Sequence, residues 1–319
     1  MRYFKQLAAG MLAASFSLAA AAQPLVVGDQ SYNTRAVMEA AGVLDGLPYE
    51  LDWKQFTAGS PVAEALNVGS LDLGLLGDAP PLFLGALGAP IKIIAVSRQN
   101  LEGVAILVRK DSNIHSLADL RGKRAAIWKG SWSQQLLLTA LDHAAVPRDA
   151  VELRYLSALD ASHALDGGSV DVIATWEPYV TQQQRQGARV LATADGLIPA
   201  QSFVVANAKA VETKRAQIAD FLQRLKQARE WALSDPQHTE AYADAWAART
   251  RADGDIARAW FARARTDLAA LNPQVITDAQ KTVDFFASLE LIKAYPAASL
   301  FDTSFSAALQ APATAQATR

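Results

Sequence analysis

The 319-residue chain contains no cysteine. That absence excludes a disulfide framework, a thiolate nucleophile, a cysteine metal site and a lipid-modified cysteine anchor. A chain of this size must then rely on its buried core. Histidine is scarce as well. His115, His143, His163 and His238 are scattered, with no metal-ligand spacing such as HExxH. His143 and His163 fall in segments that read as helices and are expected to face solvent. No GxSxG elbow and no phosphate-binding loop is present. The formal net charge is only −2, so no basic face points to nucleic acid or anionic lipid. Beyond the first residues, no run approaches the ~18 apolar residues of a membrane span.

What is present begins with an unusual start, MRYFKQLAAGMLAASFSLAAAAQPL. Arg2 and Lys5 precede an uncharged apolar run, Leu7 to Leu18, and Ala20-Ala21-Ala22 gives a small-residue site before Gln23. This is the pattern of a Sec-type signal peptide, residues 1–22, and it predicts export to the periplasm.

Two series of alternating strands and helices follow. Apolar runs predict strands at 25–28, 49–56, 71–76 and 91–96, then at 103–108, 123–128, 151–155, 170–175, 190–192 and 203–205. Helices are expected at 34–41, from Ser60-Pro61 to Gly69, after Gly77-Asp78-Ala79-Pro80-Pro81, at 134–143 and at 158–166. Ser116-Leu117-Ala118-Asp119 has the form of a capping box with Asp in place of Glu. From Thr213 the chain reads as helical. Ile218, Phe221, Leu222, Leu225 and Ala228 share one face, and further helices are expected near 238–249, 254–270 and 274–290. Alternation of this kind implies largely parallel sheets, and two runs, 25–96 and 104–192, imply two of them. The Ala/Thr/Gln-rich tail, 310–319, is expected to be disordered.

One pattern occurs twice. Residues 65–74 read ALNVGSLDLG and residues 164–173 read ALDGGSVDVI. Each reads as a helix end, a glycine that permits the turn, and a buried strand. Ligands of open α/β sheets lie beyond the carboxyl ends of strands. The first copy therefore delivers Gly77-Asp78-Ala79 to a cleft, and the second delivers Trp176-Glu177-Pro178.

The motifs TAGSPVAEALNVGSLDLG (57–74), GDAPPLFLGALGAP (77–90), KDSNIHSLADLRGK (110–123), KGSWSQQLLLTAL (129–141) and DVIATWEPYV (171–180) occur in an order that resembles the periplasmic binding proteins of sulfonate, nitrate and taurine ABC importers. The resemblance is strongest to the aliphatic sulfonate-binding type and covers residues 24–290. It implies an α/β, two-lobed periplasmic-binding-protein fold of type II, with two parallel-rich sheets, helices on both faces and a ligand cleft between lobes. Lobe one would be 24–103 plus 206–309 and lobe two 104–205, with crossings near 103–107 and 202–206. Hinge closure on the ligand would present a surface to a membrane permease. The resemblance also implies a monomer without cofactor or chemistry, which captures a sulfonate or sulfate ester and passes it to an inner-membrane permease with its ATPase. Taurine, nitrate and a thiamine-precursor pyrimidine are the other ligands to weigh, and an enzyme on the same fold is the other class of function.

A sulfonate is a monoanion with three acceptor oxygens and no donor, which suits helix N-termini. Three candidates stand at strand ends: Gln30-Ser31, Asp78-Ala79 and Ser131-Trp132-Ser133. Hydrogen bonds to charged groups give roughly 1.5–3 kcal/mol each, and micromolar affinity needs about 8 kcal/mol, so four to six donors suffice and no arginine is required. Arg98 is a possible extra partner or a surface residue. Ser131 and Ser133 are expected either to donate hydroxyls to the anion or to cap the following helix. Gln30 could donate its amide or simply shape the turn. Trp132 stands where members of the family usually carry a small residue; it could stack on a ligand tail, narrow the pocket or pack between lobes. Trp176 could line the cleft or join the core. Asp78 and Glu177 are awkward beside an anion. Asp78 could cap its own helix, and either carboxylate could meet the ammonium of a zwitterionic ligand such as taurine.

Overall fold

The computed structural model describes residues 23–310. The expected signal segment and the tail beyond Gln310 lie outside the described residues. The first run comprises β1 (Leu25–Gln30), α1 (Asn33–Ala40), β2 (Leu51–Phe56), α2 (Gly59–Asn67), β3 (Leu73–Gly77), α3 (Ala79–Gly85) and β4 (Ile91–Arg98). The second comprises β5 (Val104–Val108), β6 (Arg124–Ile127), α4 (Trp132–His143), β7 (Glu152–Tyr155), α5 (Ala158–Asp166), β8 (Val172–Trp176), α6 (Tyr179–Arg185) and β9 (Arg189–Thr193). The chain then returns through β10 (Ser202–Asn207), α7 (Ala208–Thr213), α8 (Arg215–Ser234), α9 (Pro236–Thr250), α10 (Gly254–Ala264), β11 (Asp267–Ala269), α11 (Pro273–Ser288) and α12 (Ser306–Gln310).

These strands build two sheets, in the orders β11-β4-β10-β3-β1-β2 and β7-β6-β8-β5-β9. Both are mixed, with most strands of each sheet running the same way. The β1–β2, β1–β3, β6–β7 and β6–β8 pairs are parallel, as helical crossovers require. The strands next to the crossings run the other way: β10 returns antiparallel between β3 and β4, and β5 lies antiparallel between β8 and β9. The expected boundary at 205/206 falls inside β10, which pairs with the first sheet along its whole length. The two connections between sheets are residues 99–103 and 194–201. Residues 254–270 also depart from the single helix expected: α10 ends at Ala264, Arg265 takes a left-handed φ of 45°, and β11 pairs with the edge of β4. Tertiary pairing overrides a local pattern that carries no glycine or proline to stop the helix.

Each sheet is packed on both faces. Phe221, Leu222 and Leu225 of α8 are fully buried with α1, α9 and α10 against the first sheet. A large apolar side chain contributes about 1.5–3 kcal/mol when buried in this way. Residues of α2, α3 and α11 cover the opposite face. Helix α11 also bridges the sheets: Val275, Ala279 and Val283 pack against the first sheet, whereas Phe285, and Leu289 just past the helix end, pack against the core of the second.

The repeated sequence has one structural meaning in both copies. Gly69 and Gly168 take φ of 74° and 72°, values open to glycine at little cost. Ser70 and Ser169 donate their hydroxyls back to the carbonyls of Ala65 and Ala164, at 3.0 and 3.1 Å. Asp72 then accepts the Val26 amide at 2.7 Å, and Asp171 accepts the Arg124 amide at 2.9 Å. Each aspartate therefore ties the start of its own strand to the start of the parallel strand beside it. Each also meets a cation, Lys214 at 2.6 Å for Asp72 and the Arg124 guanidinium at 2.8 Å for Asp171.

Candidate functional site

The strands that leave these two motifs end at a cleft between the sheets, with about 160 Å³ of free volume. An apolar cavity of similar size holds a benzene-sized group. Gln30, Gly77 and Ser97 line it from the first sheet, Trp176 from the second, and Ser202 from the returning β10. The starts of α1, α2 and α4 open onto it, through Asn33 and Thr34, Gly59 and Ser60, and Ser131 and Trp132.

Those three helix starts differ in what they leave free. At α1 most amides are already taken. The Ser31 amide donates to the Phe56 carbonyl, that of Tyr32 to the Gln55 side chain, and those of Thr34 and Arg35 to the buried carboxylate of Asp29, at 3.0 and 3.1 Å. Burial pushes the Asp29 carboxyl up from its ordinary range, and these amides oppose the shift. Among the described residues, the amides without a protein acceptor at these three helix starts include those of Asn33, Gly59, Ser60, Ser131 and Trp132. The start of α2, which Ser60-Pro61 announced, thus contributes more than the Gln30-Ser31 turn.

The serine hydroxyls are spoken for. Ser131 caps α4 by accepting the Ser133 amide at 3.2 Å and donates to the Trp128 carbonyl at 2.7 Å. Ser133 is fully buried, accepts the Trp128 amide at 2.8 Å and lies 2.9 Å from the Ser131 hydroxyl. The pair shapes the loop before α4, so Ser131 reaches the cleft through its backbone, and Ser133 lies behind it.

Asp78 and Ala79 are both fully buried, away from the cleft surface. Asp78 begins α3 without capping it. Its Oδ1 instead accepts the Trp132 indole at 2.7 Å, and Oδ2 lies 3.4 Å from the Thr282 hydroxyl. Complete burial pushes its carboxyl up to about 6, against the lowering effect of Trp132. Glu177 does line the cleft. Its carboxylate accepts the Thr181 amide and hydroxyl, both at 3.0 Å, and pairs with Arg263 of α10. Neither acid is therefore free.

Aromatic surface completes the walls. Trp128, Trp132, Trp176 and Trp260 all line the cleft. Trp132 also packs between the sheets, so close over Gly77 that a Cβ there would lie 3.2 Å from the indole. Arg98 is exposed and stands outside the cleft. The cation at the floor is Arg229 of α8, 2% exposed. Sequence reasoning did not single out Arg229, Asn33 or Trp260. For Arg229 a signal existed: it lies one helical turn beyond Leu225, on the apolar stripe of α8.

Residues 50–239 match the family model described as NMT1/THI5 like. The chain is 34% identical over 291 residues to an aliphatic sulfonates-binding protein of Escherichia coli (strain K12), covering 89% of this chain and 91% of that one. The crystal structure of the periplasmic aliphatic sulphonate binding protein SsuA from Escherichia coli superposes with a TM-score of 0.80 at 30% identity, over 87% of this chain and 96% of the other. The alkanesulfonate-binding protein SsuA from Xanthomonas axonopodis pv. citri, bound to MOPS, gives a TM-score of 0.80 at 28% identity, over 88% and 98%. With its two mixed sheets, intervening cleft and paired motifs, this chain belongs to the NMT1/THI5-like family, on the branch of the aliphatic sulfonate-binding proteins.

Proposed function

We propose that the protein is the periplasmic solute-binding component of an ABC importer, and that it holds a sulfonate or sulfate ester without an ammonium group. The observation that carries this reading is the polarity of the cleft. At least five backbone amides around it have no protein acceptor, and both nearby carboxylates are engaged by donors from the opposite side. At roughly 1.5–3 kcal/mol for each hydrogen bond to a charged group, several such donors reach the ~8 kcal/mol of micromolar binding. A zwitterion would find no free acid for its ammonium. The four tryptophans give an alkyl or aryl tail an apolar wall, which nitrate would not use.

The protein acts, in this reading, as a monomer that performs no chemistry and passes its cargo to an inner-membrane permease with its ATPase. The sulfonate-binding relatives support that role. Lobe one would be the unit containing the first sheet and the carboxyl-terminal helices, and lobe two the unit containing the second sheet. The direct test is calorimetric titration of residues 23–319, unfolded and refolded to remove carried ligand, in a buffer free of sulfonates. The panel is alkanesulfonates, an arylsulfonate, a sulfate ester, taurine, nitrate and a thiamine-precursor pyrimidine. Micromolar binding confined to sulfonates or sulfate esters is expected. Binding only to taurine, nitrate or the pyrimidine would overturn the ligand assignment.

A further inference from the structure

We infer that Arg229 sets the charge selectivity of the cleft: its buried guanidinium is the counter-ion of an anionic head group, and its hold on Asn33 leaves the Asn33 amide nitrogen free for that same group. This rests on the reading of the cleft as a small-anion site.

Arg229 lines the floor of the cleft while 2% exposed. It donates to Asn33 Oδ1 at 2.5 Å and to the Tyr242 hydroxyl at 3.1 Å, and lies over the Tyr242 ring at 5.6 Å. Its Nε has no protein acceptor, and no carboxylate stands within ion-pair distance of it among the described residues. Asp29, the buried acid on this side, feels the Arg229 charge from beyond ion-pair distance, but its oxygens are spent on the amides of Thr34 and Arg35 and on Gln55. A buried cation bonded only to neutral groups carries a desolvation cost that an anion at the cleft would offset. The neighbouring backbone is arranged to the same end. Ser31 and Tyr32 both take left-handed φ, 55° and 58°, a conformation that non-glycine residues adopt only under constraint. Trp246 holds the Ser31 carbonyl at 2.7 Å and Tyr242 holds the Asn33 carbonyl at 3.2 Å. The two carbonyls are thus tied back, and the Asn33 amide keeps no protein acceptor.

The test compares 1-pentanesulfonate with its neutral isostere, 1-pentanesulfonamide, on wild type, Arg229→Met and Arg229→Lys. Loss of one charge-assisted interaction is expected to weaken the sulfonate roughly 10- to 150-fold in Arg229→Met, with the sulfonamide changed less than about threefold. Arg229→Lys keeps the charge and should keep most of the sulfonate-over-sulfonamide preference. Sulfonate binding in Arg229→Met within about threefold of wild type overturns the inference, and so does an equal loss of both ligands, which would make Arg229 a support for the turn alone. If Arg229→Met does not fold, Arg229→Lys decides: a retained preference supports the inference and a collapsed preference overturns it. Wild type that binds no sulfonate would instead sink the functional reading on which the inference rests.

Discussion

Asp78 and Trp132 meet between the two sheets, beside the cleft, the indole Nε1 donating to Oδ1 at 2.7 Å. The arrangement has a counterpart with the sides exchanged. Aligned from their alanines, the two repeats read ALNVGSLDLGLLGD and ALDGGSVDVIATWE, so Asp78 and Glu177 hold the same position. Asp78 follows a strand of the first sheet and takes its donor from α4, beside the second. Glu177 follows a strand of the second sheet and takes its donor, Arg263, from α10, beside the first. Each carboxylate is buried, and each depends on the opposite side for its partner. Separation of the sheets would leave both charges without that partner, which is a physical reason for the cleft to favour the arrangement seen here.

Trp132→Phe tests the first of these contacts. The ring stays over Gly77, but the hydrogen bond to Asp78 is lost. Loss of a bond to a buried charged group is expected to lower the unfolding free energy by about 1–3 kcal/mol at pH 7, read by urea denaturation. The loss should shrink below pH 6, where Asp78 is protonated. Equal losses at both pH values would mean that packing, not the bond, is what the substitution removes.

Asp78→Asn tests the burial. The amide oxygen can still accept from Trp132. The wild-type carboxyl, raised from 3.8 to about 6, binds its proton more tightly in the folded state. Folding stability must therefore fall as pH rises from about 4 through 6, and the cost is fully present at pH 7, on the order of 3 kcal/mol. The variant should accordingly be more stable than wild type at pH 7 and no more stable at pH 4, with thermal melts at both values as the readout. Asp29 is also raised, so the variant keeps part of the slope, and the difference between the two proteins isolates Asp78. A variant less stable than wild type at pH 7 would contradict the assignment.

How much of this was legible in the sequence follows from which forces are local. Apolar runs and caps are local, so β1 to β10, α4 behind Ser131 and the capping box at Ser116 and Asp119 could be read directly. The sense of β5 and β10 depends on where the chain crosses between sheets, and β11 depends on the free edge of β4. Neither is written in a local pattern. The site divides in the same way. Gln30, Ser31, Ser131, Trp132, Trp176 and Glu177 follow strands and were found at the cleft. Ser133, Asp78 and Ala79 follow strands too, but they are fully buried behind the residues that line the cleft. Arg229 lies some two hundred residues along the chain from Asn33, its bonding partner, and only folding brings them together.

The repeat aspartates should matter for stability and not for binding. Asp72→Ala and Asp171→Ala each remove an acceptor for a neighbouring strand amide and an ion-pair partner. Each is expected to cost about 1–3 kcal/mol, while sulfonate affinity stays within about twofold of wild type, less than half a kcal/mol. Both aspartates sit at the opposite strand ends from the cleft, so a large change in affinity with either substitution would contradict the separation of scaffold from site.

Arg263→Met should change which ligands the cleft accepts. In the wild type the Glu177 side chain, 5% exposed, is paired with Arg263. Without the guanidinium, a carboxylate that lines the cleft keeps only the Thr181 amide and hydroxyl. Removing one partner of a buried pair costs about 3–5 kcal/mol, so the free variant should melt well below wild type. The unpaired charge repels a sulfonate and attracts an ammonium. Taurine and ethanesulfonate share a head group and differ in the ammonium, so their ratio of dissociation constants reports the change. The ratio should move towards taurine by at least about tenfold, or about 1.4 kcal/mol, and taurine should raise the melting temperature of the variant more than ethanesulfonate does. An unchanged ratio would mean that Glu177 is out of reach of the bound ligand and that rejection of the zwitterion has another cause.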